Sequence, residues 1–284
     1  MSTLSQPMEE CKFYRRKGCE YLLNDKKKTA WIIKGPRIGR RRRYRVPETI
    51  DVNGQAYKVE NIEINAFRRA KCLKHLVIPD SIEFVDEYNF DSLPSLRSIH
   101  IGKGLSHLSS WIFDGNRKLR SFVISKENPH FYVENGVVYT ADGLCAVTTP
   151  FNYSNLRIKE GVETIGTGCF WWNHNLRAIS FPSSLKSIGY NIFSGCPKIK
   201  EMVLPEGVEK CVTQCFLCCD SLEIVDMPST LKEIDYELFC GCDNLRILII
   251  RKDQLLVPTT FNGTPIYLPK GCTLKVPKNL VAKY

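Results

Sequence analysis

Phenylalanine returns every 23 residues along this chain, at Phe67, Phe90 and Phe113 and again at Phe170, Phe193, Phe216 and Phe239. A fixed period of this length constrains the fold more than any single segment does, because each copy must then take the same shape. Other landmarks move in step. One column reads Leu73, Leu96, Leu119, Leu176, Ile199, Leu222 and Leu245. A second reads Ile78, Ile101, Ile124, Ile158, Phe181, Leu204, Met227 and Ile250, and a third reads Ile62, Val85, Leu108, Ile165, Ile188, Cys211 and Ile234. Several apolar columns do not fall into register by chance. The chain is a stack of equivalent units.

Within the unit Leu73 to Pro79, Leu76 and Ile78 follow a period of two, which predicts a strand. Pro79 closes it, with Pro182, Pro205 and Pro228 in the same column, because proline removes a ladder donor. The stretch around each Phe, such as Ile188 to Phe193, suits a tight turn or one short helical turn. No unit can bury its apolar edge alone, so neighbours must stack. Strands about 4.8 Å apart over eight rungs predict a parallel ladder of roughly 35 to 40 Å.

One interval is longer: Ile124 to Ile158 is 34 residues. The extra chain runs from Asn128 through Asn135-Gly136 to Asp142-Gly143, with alternating apolar residues on both sides of Asp142-Gly143. That pattern predicts a β-hairpin protruding from one side of the stack.

The consensus seen nearly whole from Leu176 to Cys196 resembles the BspA-type (Treponema-type) leucine-rich repeats, over roughly residues 44 to 284. The lead-in Val46-Pro47 to Ile62, the Asn128 to Gly143 insertion and the closing Leu268-Pro-Lys-Gly with Leu274-Lys-Val-Pro277 resemble features of the same family in the same order. The resemblance implies a β-rich leucine-rich-repeat solenoid with short helical turns, a parallel strand ladder of about eight rungs, a hairpin insertion and capping segments. The expected organisation is a basic N-terminal β cap at 1–54, the solenoid at 55–261 with its insertion at 126–150, and a C-terminal cap at 262–284. The family implies surface proteins that adhere to host proteins or other cells, and carries no shared catalytic residues.

Charge is uneven. The net charge is +10, of which residues 1–54 hold 14 Lys and Arg against 6 Asp and Glu. A basic head on a near-neutral body suggests a local site for an acidic partner, or a solubilising segment. No stretch reaches the roughly 18 apolar residues of a membrane span, so no membrane insertion is expected. Met1 to Glu10 shows no leader pattern. Thirteen cysteines, an odd number, read mostly as core: Cys72, Cys196, Cys219 and Cys242 as one column, Cys169 and Cys215 before the Phe, and Cys211 in an Ile or Val position. Cys218 and Cys240 are expected to be the exposed ones. Reduced thiols and no leader predict a cytoplasmic protein, with a cell-surface or secreted location as the alternative if a leader was removed.

Two features point to a binding surface. The residue after each leading Leu forms a column, Lys74, Arg97, Arg120, Arg177, Lys200, Glu223 and Arg246, basic in six of seven places. Stacking brings its members to about 5 Å, where like charges repel unless an anion or an acid offsets them. It is either a track for an anionic partner or a solvated strand edge. The run Arg40, Arg41, Arg42 and Arg43 is placed in a loop between capping strands, as a phosphate or sulfate contact or as a guard against edge-to-edge pairing. Lys26 to Lys28 are placed at a hairpin tip. Trp171 and Trp172 cannot both face inward, and an exposed Trp is a candidate contact anchor.

No phosphate-binding loop, dinucleotide fingerprint, zinc-binding helix motif or nucleophile arrangement occurs, so no enzyme, metal or cofactor is expected. The expected function is a non-enzymatic binding module for a protein partner, by interaction or adhesion to a host or cell-surface protein. The alternative is an intracellular binder of an anionic polymer, nucleic acid or acidic protein through the basic head and column.

Overall fold

The computed structural model describes residues 11–36, 42–85, 89–90, 93–113, 116, 118–149, 153–211, 214–234, 237–254 and 268–281. The chain divides into two compact units, Met1–His130 and Phe131–Tyr284.

The recurring coil is a long strand, a turn closed by proline in four coils (Pro79, Pro182, Pro205 and Pro228), a two-residue strand and a pair of turns around the Phe. The long strands are His75–Ile78, Ser98–Ile101 and Ser121–Ile124 in the first unit. In the second they are Asn155–Arg157, Ala178–Ser180, Glu201–Val203, Ile224–Met227 and Ile247–Ile250. Their pairing is parallel and in register at the repeat interval, for example Leu76 with Ile99 and Val225 with Leu248. Inward residues alternate with outward ones as the period of two requires, so Leu76, Ile78, Ile99 and Ile101 are buried.

Where a proline follows the strand, the N–H three residues past it returns to the proline carbonyl, as in Leu185 to Pro182 and Leu231 to Pro228 (both 3.3 Å). The short strands form a second parallel row, seen in Thr164–Ile165 against Ser187–Ile188 and in Lys210–Cys211 against Glu233–Ile234. Around each Phe the chain makes hydrogen-bonded turns, Cys219 N–H to Phe216 carbonyl (3.2 Å) and then Leu222 N–H to Cys219 carbonyl (3.0 Å). Only Ser110–Phe113 of these described stretches forms a 3-10 turn.

The Phe column is the centre of the core, and every member is buried. In the second unit Phe170, Phe193, Phe216 and Phe239 stack at 5.3, 5.6 and 5.7 Å with ring planes within 10° of one another. The position three residues after each Phe is Ala70, Leu93, Asn116, Asn173, Cys196, Cys219 and Cys242. There the thiols of Cys196, Cys219 and Cys242 donate to the carbonyls of Phe170, Phe193 and Phe216 on the preceding coil, at 3.1, 3.1 and 2.8 Å. Asn116 makes the equivalent bond in the first unit, Nδ2 to the Phe90 carbonyl at 2.7 Å.

Cys72 is not a member of that column. It lies one residue before Leu73 rather than three, and is exposed, while the buried Ala70 holds the place. Cys169, Cys196, Cys211, Cys215, Cys219 and Cys242 are buried, and no disulfide joins any of the thirteen cysteines.

The first unit begins with a five-stranded sheet in which Cys11–Arg16, Cys19–Asn24 and Thr29–Lys34 run antiparallel, and Thr29–Lys34 then pairs parallel with Gln55–Ile62. Lys26, Lys27 and Lys28 occupy the turn before Thr29. In the second unit the insertion is a three-stranded meander, Phe131–Glu134, Val137–Thr140 and Cys145–Thr148. Its turns are Asn135-Gly136 and Asp142-Gly143. It does more than protrude: Cys145–Thr148 pairs parallel with Thr164–Ile165 and so extends the short-strand row. Val137, Val138 and Tyr139 are buried accordingly. At the end of the chain Thr273–Lys275 pairs parallel with Ile247–Ile250.

Candidate functional site

The basic column is a physical row in the first unit. The Lys74 carbonyl accepts the Arg97 N–H at 2.8 Å, and the Arg97 carbonyl accepts the Arg120 N–H at 2.9 Å. The row begins one coil earlier than the repeat columns show, because the Arg42 carbonyl accepts the Lys74 N–H at 2.7 Å. Arg42, Arg97 and Arg120 are exposed and Lys74 is half-buried. Burial, and then the charges of Arg42, Arg97 and Lys118, push the Lys74 ammonium below its ordinary pKa. Among the described residues no carboxylate lies within ion-pair distance of this row.

Arg43 is not in a loop. Arg43–Arg45 is a strand paired parallel with His75–Ile78, Arg43 opposite His75 and Arg45 opposite Val77. The alternation explains why: Tyr44 and Val46 turn inward, Tyr44 against the Phe67 ring at 5.8 Å, and the arginines turn out. Arg40 and Arg41 lie outside the described residues. The outward row beside the column then reads Arg43, His75, Ser98 and Ser121, and the next reads Arg45, Val77, His100 and Val123. His75 Nδ1 lies 2.7 Å from Ser98 Oγ.

The same column is different in the second unit. Arg177 follows Ser154, Lys200 and Glu223 are joined by a backbone bond of 2.8 Å, and Arg246 follows Glu223 at 2.9 Å. Glu223 meets Lys200 at 3.4 Å. Neighbouring rows also alternate in sign: Glu163 with Lys186 at 2.7 Å, Glu209 with Lys232 at 2.7 Å and Lys210 with Glu233 at 2.8 Å. Arg251 reaches Asp226 at 2.8 Å and Glu206 at 2.7 Å across further coils. The six basic column positions are thus not one uniform row: among the described residues Lys74, Arg97 and Arg120 meet no carboxylate, whereas in the second unit a glutamate is interleaved and pairs with Lys200.

A signal for this lay in the sequence at segment level. The strand-leading segments 71–78, 94–101 and 117–124 contain Lys71, Lys74, Arg97, Arg117, Lys118 and Arg120 and no acid. The equivalent segments 174–181, 197–204, 220–227 and 243–250 contain four basic residues and five acids. A single column conceals this, and Lys118 was passed over because it falls in a flanking column.

Trp171 and Trp172 are split as their adjacency requires. Trp171 is half-buried and Trp172 is 42% exposed. Trp172 has a left-handed φ of 54°, uncommon for a bulky residue. Its ring covers Gly195, where a Cβ would come within 2.9 Å of the indole. Trp171 and His174 both meet it edge-on, at 5.9 and 5.5 Å. Cys218 takes the same left-handed place one coil beyond Gly195 and is exposed. Burial and the acids Asp220 and Asp243 push its thiol pKa up, which lowers its nucleophilicity at neutral pH. Cys240 is half-buried. Among the described residues no three His, Cys, Asp or Glu side chains are grouped to hold a metal ion, and no helix is long and apolar enough to cross a membrane.

The BspA type leucine rich repeat region matches residues 53–152 and 148–264, in six copies. The chain belongs to the BspA-type leucine-rich-repeat family. The chain is also similar in fold to solved structures. The crystal structure of the pneumococcal vaccine antigen PcpA is 12% identical with a TM-score of 0.58, covering 96% of this chain and 95% of that one. A leucine-rich repeat protein from Eubacterium ventriosum is 17% identical with a TM-score of 0.55, covering 85% of this chain and 78% of that one. No curated protein is similar enough to count as a relative. At such identities the likeness is one of fold, a β-rich leucine-rich-repeat solenoid, and it supplies no ligand.

Proposed function

We propose that this chain is a non-enzymatic binding module whose exposed solenoid faces dock a protein partner, as in adhesion to a host or cell-surface protein. One observation carries the reading: within each unit equivalent outward residues stand in rows over a core whose Phe and Leu columns are buried. Repeat proteins use stacked faces of this kind for macromolecular recognition.

Site-specific photo-crosslinking in the native cells tests the reading. A benzophenone side chain is placed at exposed Val123 on the strand face, at exposed Tyr190 on the outer turns, and at buried Leu222 as a control. The expected result is a discrete protein adduct, identified by mass spectrometry, from at least one exposed position and none from Leu222. Adducts from neither surface, or adducts to nucleic acid alone, would sink it.

A further inference from the structure

We propose that the basic strand face of the Met1–His130 unit receives an acidic stripe on an α-helix of the partner; this rests on the protein-binding reading above. The ladder Arg42, Lys74, Arg97 and Arg120 places four cations on consecutive coils, joined by backbone hydrogen bonds of 2.7, 2.8 and 2.9 Å. Arg43 and Arg45 add two more on the first rung, facing outward. Like charges set this close repel. Elsewhere the chain interleaves lysines with glutamates along its columns, at Glu163 with Lys186 and Glu209 with Lys232. Among the described residues no acid is interleaved here, and the countercharge is assigned to the partner.

Spacing selects the kind of acid. Rungs about 4.8 Å apart spread the four cations over about 14 Å. Carboxylates at i, i+4, i+7 and i+11 of a helix span about 16 Å, with about 5.4 Å per turn. Alternate residues of an extended strand recur at about 6.7 Å and span about 20 Å, so they drift off the ladder within two rungs. Single-stranded nucleic acid needs rings on which its bases stack. No Phe, Tyr or Trp faces outward from His75–Ile78, Ser98–Ile101 or Ser121–Ile124, where half-buried Val77 and exposed Val123 stand instead. Those valines suit the apolar flank of an amphipathic helix.

The test uses the full chain and fluorescence anisotropy with three labelled probes: an alanine-based helical peptide carrying Glu at i, i+4, i+7 and i+11, a peptide of identical composition with those residues scattered around the helix, and an oligothymidylate of equal charge. The expected result is tightest binding to the striped peptide. The exposed pair Arg97→Gln and Arg120→Gln should weaken it about fivefold. Arg177→Gln with Arg246→Gln, the same column in the other unit, should leave it within about twofold. Equal binding of the scattered peptide, preference for the oligonucleotide, or equal loss from both double variants overturns the proposal. A photo-crosslinked protein partner whose capture survives Arg97→Gln and Arg120→Gln would remove this site and leave the binding-module reading standing.

Discussion

In the Phe131–Tyr284 unit, four phenylalanine rings stack almost parallel and their outward columns alternate between glutamate and lysine. In the Met1–His130 unit the corresponding rings are tilted, Phe67 at 39° to Phe90, with Tyr44 at 59° to Phe67. Its ladder of Arg42, Lys74, Arg97 and Arg120 carries one sign. Both are built on the same period, so the period sets the backbone and leaves the surface chemistry free. A coil is held in place by what it buries. What it exposes is available for other uses, and the two units use it differently.

The largest effects should come from the buried stack. Phe193 is fully buried between Phe170 and Phe216, with Phe181 edge-on at 6.2 Å, so Phe193→Ala is expected to destabilise by about 3 to 5 kcal/mol. Phe67→Ala belongs in the same range, since Phe67 is equally buried. The comparison is sharpened by leucine, which keeps most of the apolar volume and removes the ring contacts. Phe193→Leu should cost more than Phe67→Leu by about 0.5 to 1.5 kcal/mol, the worth of well-aligned aromatic pairs. Denaturant unfolding measures both, and equal losses would mean that the parallel stack adds nothing beyond burial.

Next come the polar tethers three residues after the Phe. Asn116 donates to the Phe90 carbonyl at 2.7 Å and accepts the Leu93 N–H at 3.1 Å, both in the interior. Asn116→Ala leaves two buried backbone groups unpaired, at about 1 to 3 kcal/mol. Cys219→Ala removes one weak thiol donor and one small apolar volume, so its loss should be smaller, about 1 kcal/mol. A larger loss at Cys219 would show that the thiol row is the stronger staple.

Much of the fold was legible in the residues because the repeat samples one environment many times. The Phe, Leu and Ile columns are interior, with only Phe181 half-buried among them, and the prolines close the strands where they were expected to. What escaped was whatever does not repeat. Cys72 was counted into a column from which it is displaced by two residues, and only Ala70 has the right distance to Leu73. The arginine run was read as a loop because its charge drew attention from the alternation of Tyr44 and Val46. The hairpin at Asp142-Gly143 was legible, but its pairing with Thr164–Ile165 is a long-range contact that no local pattern encodes. The basic strand face is a property of several columns compared between coils, and one column alone hides it.

Acid should weaken the second unit's charge ladder selectively. Hydrogen bonding and attraction from Lys232 hold the Glu209 carboxyl below its usual range. Burial alone would raise that of Glu206, but Ser229 and Arg251 outweigh it and hold it low. A depressed carboxylate contributes stability above its unfolded value, and this is lost as pH falls through the folded value. Amide exchange followed below about pH 4.5 should therefore rise first in the coils around Glu206 and Glu209. Glu209→Lys, which sets three lysines in a row with Lys186 and Lys232, should abolish that pH response and lower Tm by a few degrees, on the order of 2 °C. No change in either would show that the pairs are solvated and idle.

The smallest effect has the opposite sign, and it distinguishes the two units most directly. Partial burial and the nearby Arg42, Arg97 and Lys118 push Lys74 below its ordinary pKa, so its charge is held against a preference for the neutral form. A lysine with a lowered folded pKa subtracts from stability while both states are protonated. That penalty is relieved as pH rises through the folded value toward the unfolded 10.5, because the native state releases its proton first. Lys74→Gln should therefore raise Tm slightly, by ~1 °C, and the gain should shrink as salt screens the row. Lys232→Gln, at a paired position in the other unit, should lower it. A loss at both positions would mean that the Lys74 row is neutralised within the chain after all, and the contrast between the two units would then reduce to ring geometry.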